Sequence, residues 1–234
     1  MAICNCCGGS KWGDMGSRKG VRCGGCGSLE RTRVLKLFLD LEGLPKPGQS
    51  VLHFAPERGL YPHLSAGGVA TYDPVDFAPE LFKFCNARKI DLCTDAARLP
   101  RHSYDLIIHS HIAEHIPCNI TAVLFHLHRA LKPGGMQLMC IPFLSGHYEE
   151  DLRALSDEEA TRRFGQKDHV RKFGTADLRG TIGMIFRLPN RYSLLDWFSA
   201  ETLDECNIPE AARSGFTPST VLPVKKEDLL LADV

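Results

Sequence analysis

Two cysteine pairs are the first residues in this chain whose type and spacing dictate chemistry. Cys4-Asn5-Cys6-Cys7-Gly8 and Cys23-Gly24-Gly25-Cys26-Gly27 each read C-x-x-C-G, separated by a short stretch ending at Arg22. Four thiolates so spaced can close a tetrahedral zinc shell, and the glycine after each pair lets the chain turn tightly around an ion. Cys4, Cys7, Cys23 and Cys26 are therefore the expected metal ligands, with Cys6 as the alternative to Cys4 or Cys7. A full sulfur shell leaves no open coordination position, so such a site is structural. A second arrangement, His111-Ile112-Ala113-Glu114-His115, is formally H-x-x-E-H. Two histidines at i and i+4 share one metal only on a continuous helix. Here a strand-like run leads into the motif and Pro117 follows, so a strand-end loop with local hydrogen bonds is expected instead of a catalytic zinc site.

The bulk properties narrow the setting. The chain has 234 residues, zero formal net charge, 44% hydrophobic and 24% charged residues, as expected of a globular protein. Neutrality argues against a strongly basic nucleic-acid binder, and no DNA partner is expected. Residues 1–36 nevertheless carry Lys11, Arg18, Lys19, Arg22, Arg31, Arg33 and Lys36 against Asp14 and Glu30, a local excess suited to an anionic ligand or to solvent. No basic n-region and apolar h-region opens the sequence, and no apolar run reaches the ~18 residues of a membrane span. A cytoplasmic location without a membrane partner is expected, with metal-bound rather than disulfide-bonded knuckle cysteines. Cys85, Cys93, Cys118, Cys140 and Cys206 read mostly as small core residues.

These residues must be positioned by an alternation of elements. Residues 1–27 lack a core of their own and form the expected ribbon; residues 28–48 supply a helix and a linker. Ser28 reads as the helix N-cap, and Gly43 ends the stripe Leu29, Val34, Leu35, Phe38, Leu39, Leu41. Residues 49–234 form the main domain. Strands are predicted at 50–54, 69–72 (ended by Asp73-Pro74), 89–93, 104–109 and 136–142. Helical segments are predicted at 59–65, 79–85 and 121–131. Further on, a helix is expected near 176–185 and strands at 192–198 and 220–224. This order implies right-handed βαβ units and a mostly parallel sheet. The polar stretch 146–174 has no clear period and is expected to be a mobile lid that orders over bound ligands.

Five local patterns together give a resemblance. They are C-G-S-L-E-R-x-R from Cys26, H-F-A-P-E from His53, H-x-x-E-H-I-P from His111, L-x-P-G-G from Leu131, and F-G-Q-x-D-H-V-R from Phe164. Across roughly residues 1–175 the chain resembles the class I S-adenosylmethionine-dependent methyltransferases, the type 11 domain in particular, in bacterial members that bear an N-terminal zinc ribbon. The resemblance implies an α/β fold: a Rossmann-like class I methyltransferase sheet, mostly parallel, preceded by a small zinc ribbon. It implies S-adenosylmethionine and a structural zinc as cofactors. It places Phe54, Ala55, Pro56, Glu57 and Gly59 along the methionine moiety and Asp73 on the ribose. Asp95 and the Ala96 amide fall on the adenine, with Ser110 and His111 beside the sulfonium. The loop departs from the common G-x-G-x-G, since only Gly59 is present.

Methyl transfer is an in-line displacement for which alignment supplies much of the rate. A base is needed only if the acceptor must lose a proton. Among His111, Glu114, His115, His147, Tyr148 and His169, the expected catalytic residues are His111 and His169, since histidine titrates near neutrality. Asp168 and Arg171 flank His169 and are expected to face the ligands with it. The preferred acceptor is a small or medium-sized metabolite. The alternatives are an RNA gripped through the ribbon, and a non-catalytic cofactor-binding module.

Overall fold

The computed structural model describes residues 1–66 and 68–231. An antiparallel hairpin comes first, β1 (Trp12–Met15) and β2 (Arg18–Cys23), followed by helix α1 (Glu30–Glu42). Ser28 does not cap α1. Leu29 occupies that position without a side-chain bond, and the Ser28 hydroxyl instead sits 3.1 Å from Cys4 Sγ. Gly43 closes the helix in the left-handed conformation, as its position predicted. The buried face of α1 includes Val34, Leu35, Phe38 and Leu39, while Leu41 is exposed.

The main sheet is assembled from β3 (Ser50–Phe54), β4 (Thr71–Asp76), β5 (Arg88–Lys89), β6 (Tyr104–Ser110), β7 (Leu131–Cys140) and a late strand at Val221–Lys225. Short helices α2 (Tyr61–Leu64) and α3 (Leu92–Asp95) and the longer α4 (Ile120–Arg129) connect the early strands. After β7 the chain forms β8 (Phe143–Leu144), β9 (Glu149–Glu150), α5 (Asp157–Phe164) and β10 (Arg171–Gly174). Then come α6 (Ile182–Ile185), α7 (Ala200–Glu205) and the late strand, β11. The six-stranded order is β11-β7-β6-β3-β4-β5, with only β11 antiparallel to its neighbour. The chain thus builds outward from β3 to β4 and β5 on one side and to β6 and β7 on the other. The switch between the two directions opens a crevice at the carboxyl ends of β3 and β6, where ligands of such sheets bind. Strand residues Leu52, Ile107, Ile108 and Leu138 are fully buried, as both-faced covering of a parallel sheet requires.

Three departures from the sequence expectations have local causes. Strand β4 does not stop at Asp73-Pro74 but continues to Asp76. β5 begins pairing only at Val75, so Pro74 lies beside an open edge and its missing N–H breaks no ladder. The expected third strand at 89–93 shrinks to two residues, because the Asp91 carboxylate accepts from Cys93 N at 2.9 Å and starts α3. The expected strand at 192–198 is a 3-10 turn over Leu194–Asp196. In β7 the L-x-P-G-G segment bulges between Leu131 and Met136. Gly135 is required there, since a Cβ would lie 2.9 Å from the Lys132 carbonyl and 3.1 Å from that of Asp105.

The segment 146–174 holds more regular secondary structure than its composition suggests. Helix α5 has a Ser156 cap accepting from Glu159 N at 3.2 Å and a left-handed Gly165 at its end. Strands β8, β10 and β9 form their own small sheet. Among the described residues no helix is long and apolar enough to cross a membrane.

Candidate active site

Two cavities meet above the carboxyl edge of the sheet. The first, about 680 Å³, lies over the switch between β3 and β6. Its apolar walls include Phe54, Ile90, Leu92 and Ile116, and Asp76 and Asp91 place carboxylates in it. Ala55 and His111, the first residues beyond β3 and β6, adopt positive φ of 46° and 55° and both border this space. Non-glycine residues held in that region signal a backbone over-determined by its surroundings. Asp76 Oδ1 accepts from Ala78 N at 2.7 Å. Burial is the main cause that raises this carboxyl above its ordinary value.

The structure brings only part of the expected cofactor set into this cavity. Phe54, Ala55 and His111 line it; Pro56, Glu57, Gly59, Asp73, Asp95, Ala96 and Ser110 do not. Asp73 lies inside β4, opposite Leu52, not at its end. Its carboxylate is taken by Arg88 at 2.8 Å and by the Tyr104 hydroxyl at 3.1 Å. Asp95 turns back to accept from Asp91 N at 2.9 Å. The carboxylates that border this cavity are Asp76 and Asp91. Glu57 binds His53 Nε2 at 2.7 Å. Gly59 packs on the ribbon: a Cβ there would stand 3.3 Å from Cys26 Sγ.

The second cavity, about 810 Å³, is enclosed by parts of the chain far apart in sequence. Arg18, Lys19 and Arg31 come from the ribbon and α1, Phe164 and His169 from the region of α5, and Pro218 from the approach to β11. His111 and His115 border both cavities and mark their junction. No helix forms over 111–115, in agreement with the strand-end loop expected there. His111 Nε2 lies 2.8 Å from the Pro218 carbonyl and Nδ1 lies 3.2 Å from Glu114 Oε1. Both ring nitrogens therefore face oxygen acceptors. Burial disfavours the charged ring, but hydrogen bonding with the Cys140 thiol and Glu114 outweighs it and lifts the pKa to about 10. Held this way the ring acts as a donor on both sides, which gives His111 a positioning role beside the general-base role expected from sequence. His169 donates Nδ1–H to the Phe164 carbonyl at 3.0 Å, and burial pushes its pKa down.

Asp168 borders the first cavity and His169 the second, but Arg171 does not face the ligands. It is fully buried, donating to the carbonyls of Ala113 at 2.6 Å, Ile116 at 2.6 Å and Cys118 at 2.8 Å, and pairing with Glu150 at 2.7 Å. Its place is to hold the root of the 146–174 segment against the loop after β6.

The ribbon cysteines converge as their spacing predicted. The sulfurs of Cys4, Cys7, Cys23 and Cys26 lie within 4.8 Å of one another, with Cys4–Cys26 at 3.7 Å and Cys7–Cys23 at 3.5 Å. Tetrahedral zinc with bonds of about 2.3 Å needs sulfurs about 3.8 Å apart, so the set fits such an ion. Cys6 stands outside the quartet. Hydrogen bonding from its thiol, then from the Ser28 hydroxyl, lowers Cys4 to about 3 and Cys26 to about 5. Buried Arg33 fastens this unit, donating to the carbonyls of Val21, Ser28, Cys206 and Asn207 at 2.8–3.0 Å. Trp12 lies against the same guanidinium, 4.7 Å from its ring centroid.

Residues 57–139 match the family model described as a methyltransferase domain. No curated protein matches the sequence significantly. Several solved structures resemble this one. A 1,6-didemethyltoxoflavin-N1-methyltransferase from Burkholderia thailandensis, solved with 1,6-didemethyltoxoflavin and S-adenosylhomocysteine bound, is 14% identical. The match covers 84% of this chain and 77% of that one, with a TM-score of 0.51. An S-adenosylmethionine-dependent methyltransferase from Mesorhizobium loti is 16% identical over 80% of this chain and 94% of its own, with a TM-score of 0.48. At these identities the likeness to the Burkholderia enzyme is one of fold.

Proposed function

We propose that this chain, an S-adenosylmethionine-dependent methyltransferase by its domain and its sheet, methylates a small or medium-sized metabolite. The observation that carries the reading is the junction of two cavities at His111 and His115, one over the sheet's switch point and one enclosed by ribbon, α5 region and C-terminal segment. The cofactor supplies an activated methyl group. Phe54, Ile90, Leu92 and Ile116 offer an apolar bed for an adenine ring, and Asp76 an acceptor for ribose hydroxyls. Ala55 and His111, in their strained conformations, shape the end nearest the second cavity. Cationic His111, neutralised by Glu114, fixes the loop after β6 by its bond to Pro218. This role is positional, consistent with a reaction in which alignment supplies most of the rate.

An acceptor cavity of about 810 Å³ is of the size that takes small ligands. Arg18, Lys19 and Arg31 on its wall suit an acceptor carrying negative charge. The four ribbon thiolates hold a structural zinc, which braces the wall that carries Arg18 and Lys19. The test is incubation with methyl-labelled S-adenosylmethionine and either a small-molecule extract or total RNA from the host. Label is expected in the small-molecule fraction. Label in RNA alone, or cofactor binding with label in neither fraction, would overturn this assignment.

A further inference from the structure

Beside the junction lies a set of side chains to which methyl transfer as described gives no part beyond the contact of Glu114 with His111. Glu114 is 1% exposed, and neither of its oxygens has a full hydrogen bond. His169 is buried, and its Nε2 has no partner. His115 Nε2 points at Glu114 Oε1 from 3.9 Å, and the two imidazole rings stand edge to face with centroids 4.6 Å apart. One atom from each of Glu114, His115 and His169 falls within 4.8 Å of the others.

The outer contacts make these atoms electron donors. His169 gives its Nδ1–H to the Phe164 carbonyl, so its Nε2 carries a bare lone pair. His115 Nδ1 lies 3.2 Å from the Asp168 carbonyl and 3.3 Å from its carboxylate, so the proton of a neutral ring sits there and Nε2 is again bare. His111 steadies Glu114 through Oε1 and leaves Oε2 free. Two imidazole lone pairs and a buried carboxylate converging on one point repel one another unless a cation stands between them. A ring nitrogen fixed by a carbonyl or carboxylate on its far side is the usual support of a metal-ligating histidine.

We infer that Glu114, His115 and His169 bind a divalent first-row transition-metal ion where the two cavities meet. The ligand set, two imidazoles and one carboxylate, suits such an ion and differs in kind from the sulfur shell of the ribbon. Bonds of about 2.1 Å would draw the three side chains slightly together. Because His115 lines both cavities and His169 the second, the remaining coordination positions open towards the acceptor. The acceptor is then a compound bearing an oxygen that can ligate the ion, which would hold it in line with the methyl group. The metal site stands on its own geometry, whereas this use of it rests on the methyl-transfer reading. The H-x-x-E-H spacing is not used as a helical i, i+4 pair, since the third ligand comes from beyond α5.

The probe is Co²⁺ titrated into full-length protein that retains its ribbon zinc, followed by calorimetry and visible absorption. Wild-type protein is expected to take up one Co²⁺ per chain, with ligand-field bands and no new thiolate charge-transfer band. His169→Ala and His115→Ala are each expected to weaken uptake more than about tenfold. Glu114→Gln, close to isosteric, should do the same and serves if an alanine variant fails to fold, as judged by its melting temperature. No uptake by wild-type protein, or uptake unchanged in folded variants, overturns the site. S-adenosylhomocysteine binding on the same samples reports separately on the methyl-transfer reading.

Discussion

Asp73 and Asp76 lie three residues apart on β4, and their substitution should separate cofactor recognition from stability. Asp76 occupies the end of the strand and the wall of the 680 Å³ cavity. One oxygen is engaged by Ala78 N, and burial raises the pKa of the carboxyl. A single hydrogen bond from a ribose hydroxyl to this charged group is worth about 1.5–3 kcal/mol. At 1.4 kcal/mol per decade, Asp76→Ala should weaken S-adenosylhomocysteine binding roughly 10- to 150-fold. Removing a partly desolvated charge should leave the melting temperature within a few degrees. Asp73→Ala loses a pair to half-exposed Arg88 and a bond from Tyr104, an exchange of about 1 kcal/mol or less. Its affinity for the same ligand should stay within about twofold. Calorimetric titration and thermal melts on both variants supply the comparison. If Asp73→Ala weakens binding as much as Asp76→Ala, the placement of the ribose is wrong.

Further outcomes are expected. Cys23→Ser should lose zinc, measured by elemental analysis, together with solubility, because ion binding and ribbon folding are coupled; wild-type protein without zinc would refute the metal assignment. Gly59→Val should also loosen the zinc, by crowding Cys26 Sγ and Cys6, while S-adenosylhomocysteine affinity changes by less than about twofold; retention of zinc against a chelator checks it. Arg171→Met leaves Glu150 without its cation and takes a donor from the carbonyls of Ala113, Ile116 and Cys118, and should cost about 3 kcal/mol in urea unfolding and expose residues 146–174 to proteolysis. His109 is fully buried, and that burial pushes its pKa down to about 4. The unfolded chain takes up this proton near pH 6.5 and the folded chain does not. His109 therefore contributes a stability fully present above pH 6.5 that falls by roughly 3 kcal/mol as pH drops towards 4. A His109→Leu variant should show a flatter urea-unfolding profile over that range.

Features governed by local chemistry were legible in the sequence. The C-x-x-C-G spacing found the sulfur quartet, and the apolar runs at β3, β6 and β7 found the centre of the sheet. The end of β4 was expected at Asp73 because Pro74 reads as a strand end, and only the open edge beside it explains why the strand continues. Asp91 was passed over because an aspartate in an apolar run reads as part of a strand until its side chain is seen capping α3. The signal for α5 was available in Ser156-Asp157-Glu158-Glu159 and Gly165, a cap and a stop around a helix with little apolar surface. No sequence rule predicted that Arg171 would be buried under four partners or that His169 would meet Glu114, since both depend on contacts across more than fifty residues.

The clamp made by Arg33 has a consequence for biosynthesis. The cysteine knuckles leave the ribosome early, yet two of the four carbonyls that accept from Arg33 belong to Cys206 and Asn207, which lie 173 and 174 residues beyond it. Until then a guanidinium destined for full burial must remain hydrated, and the hairpin beside it has no floor. Domains usually fold from the N-terminus as they emerge, but here an early segment must wait for one made much later. During that interval the thiols are open to oxidation and to competing ions, so the fidelity of metal loading depends on how fast translation finishes. Slowing elongation in the second half of the message should raise the fraction of mismetallated or aggregated chains without altering a single residue.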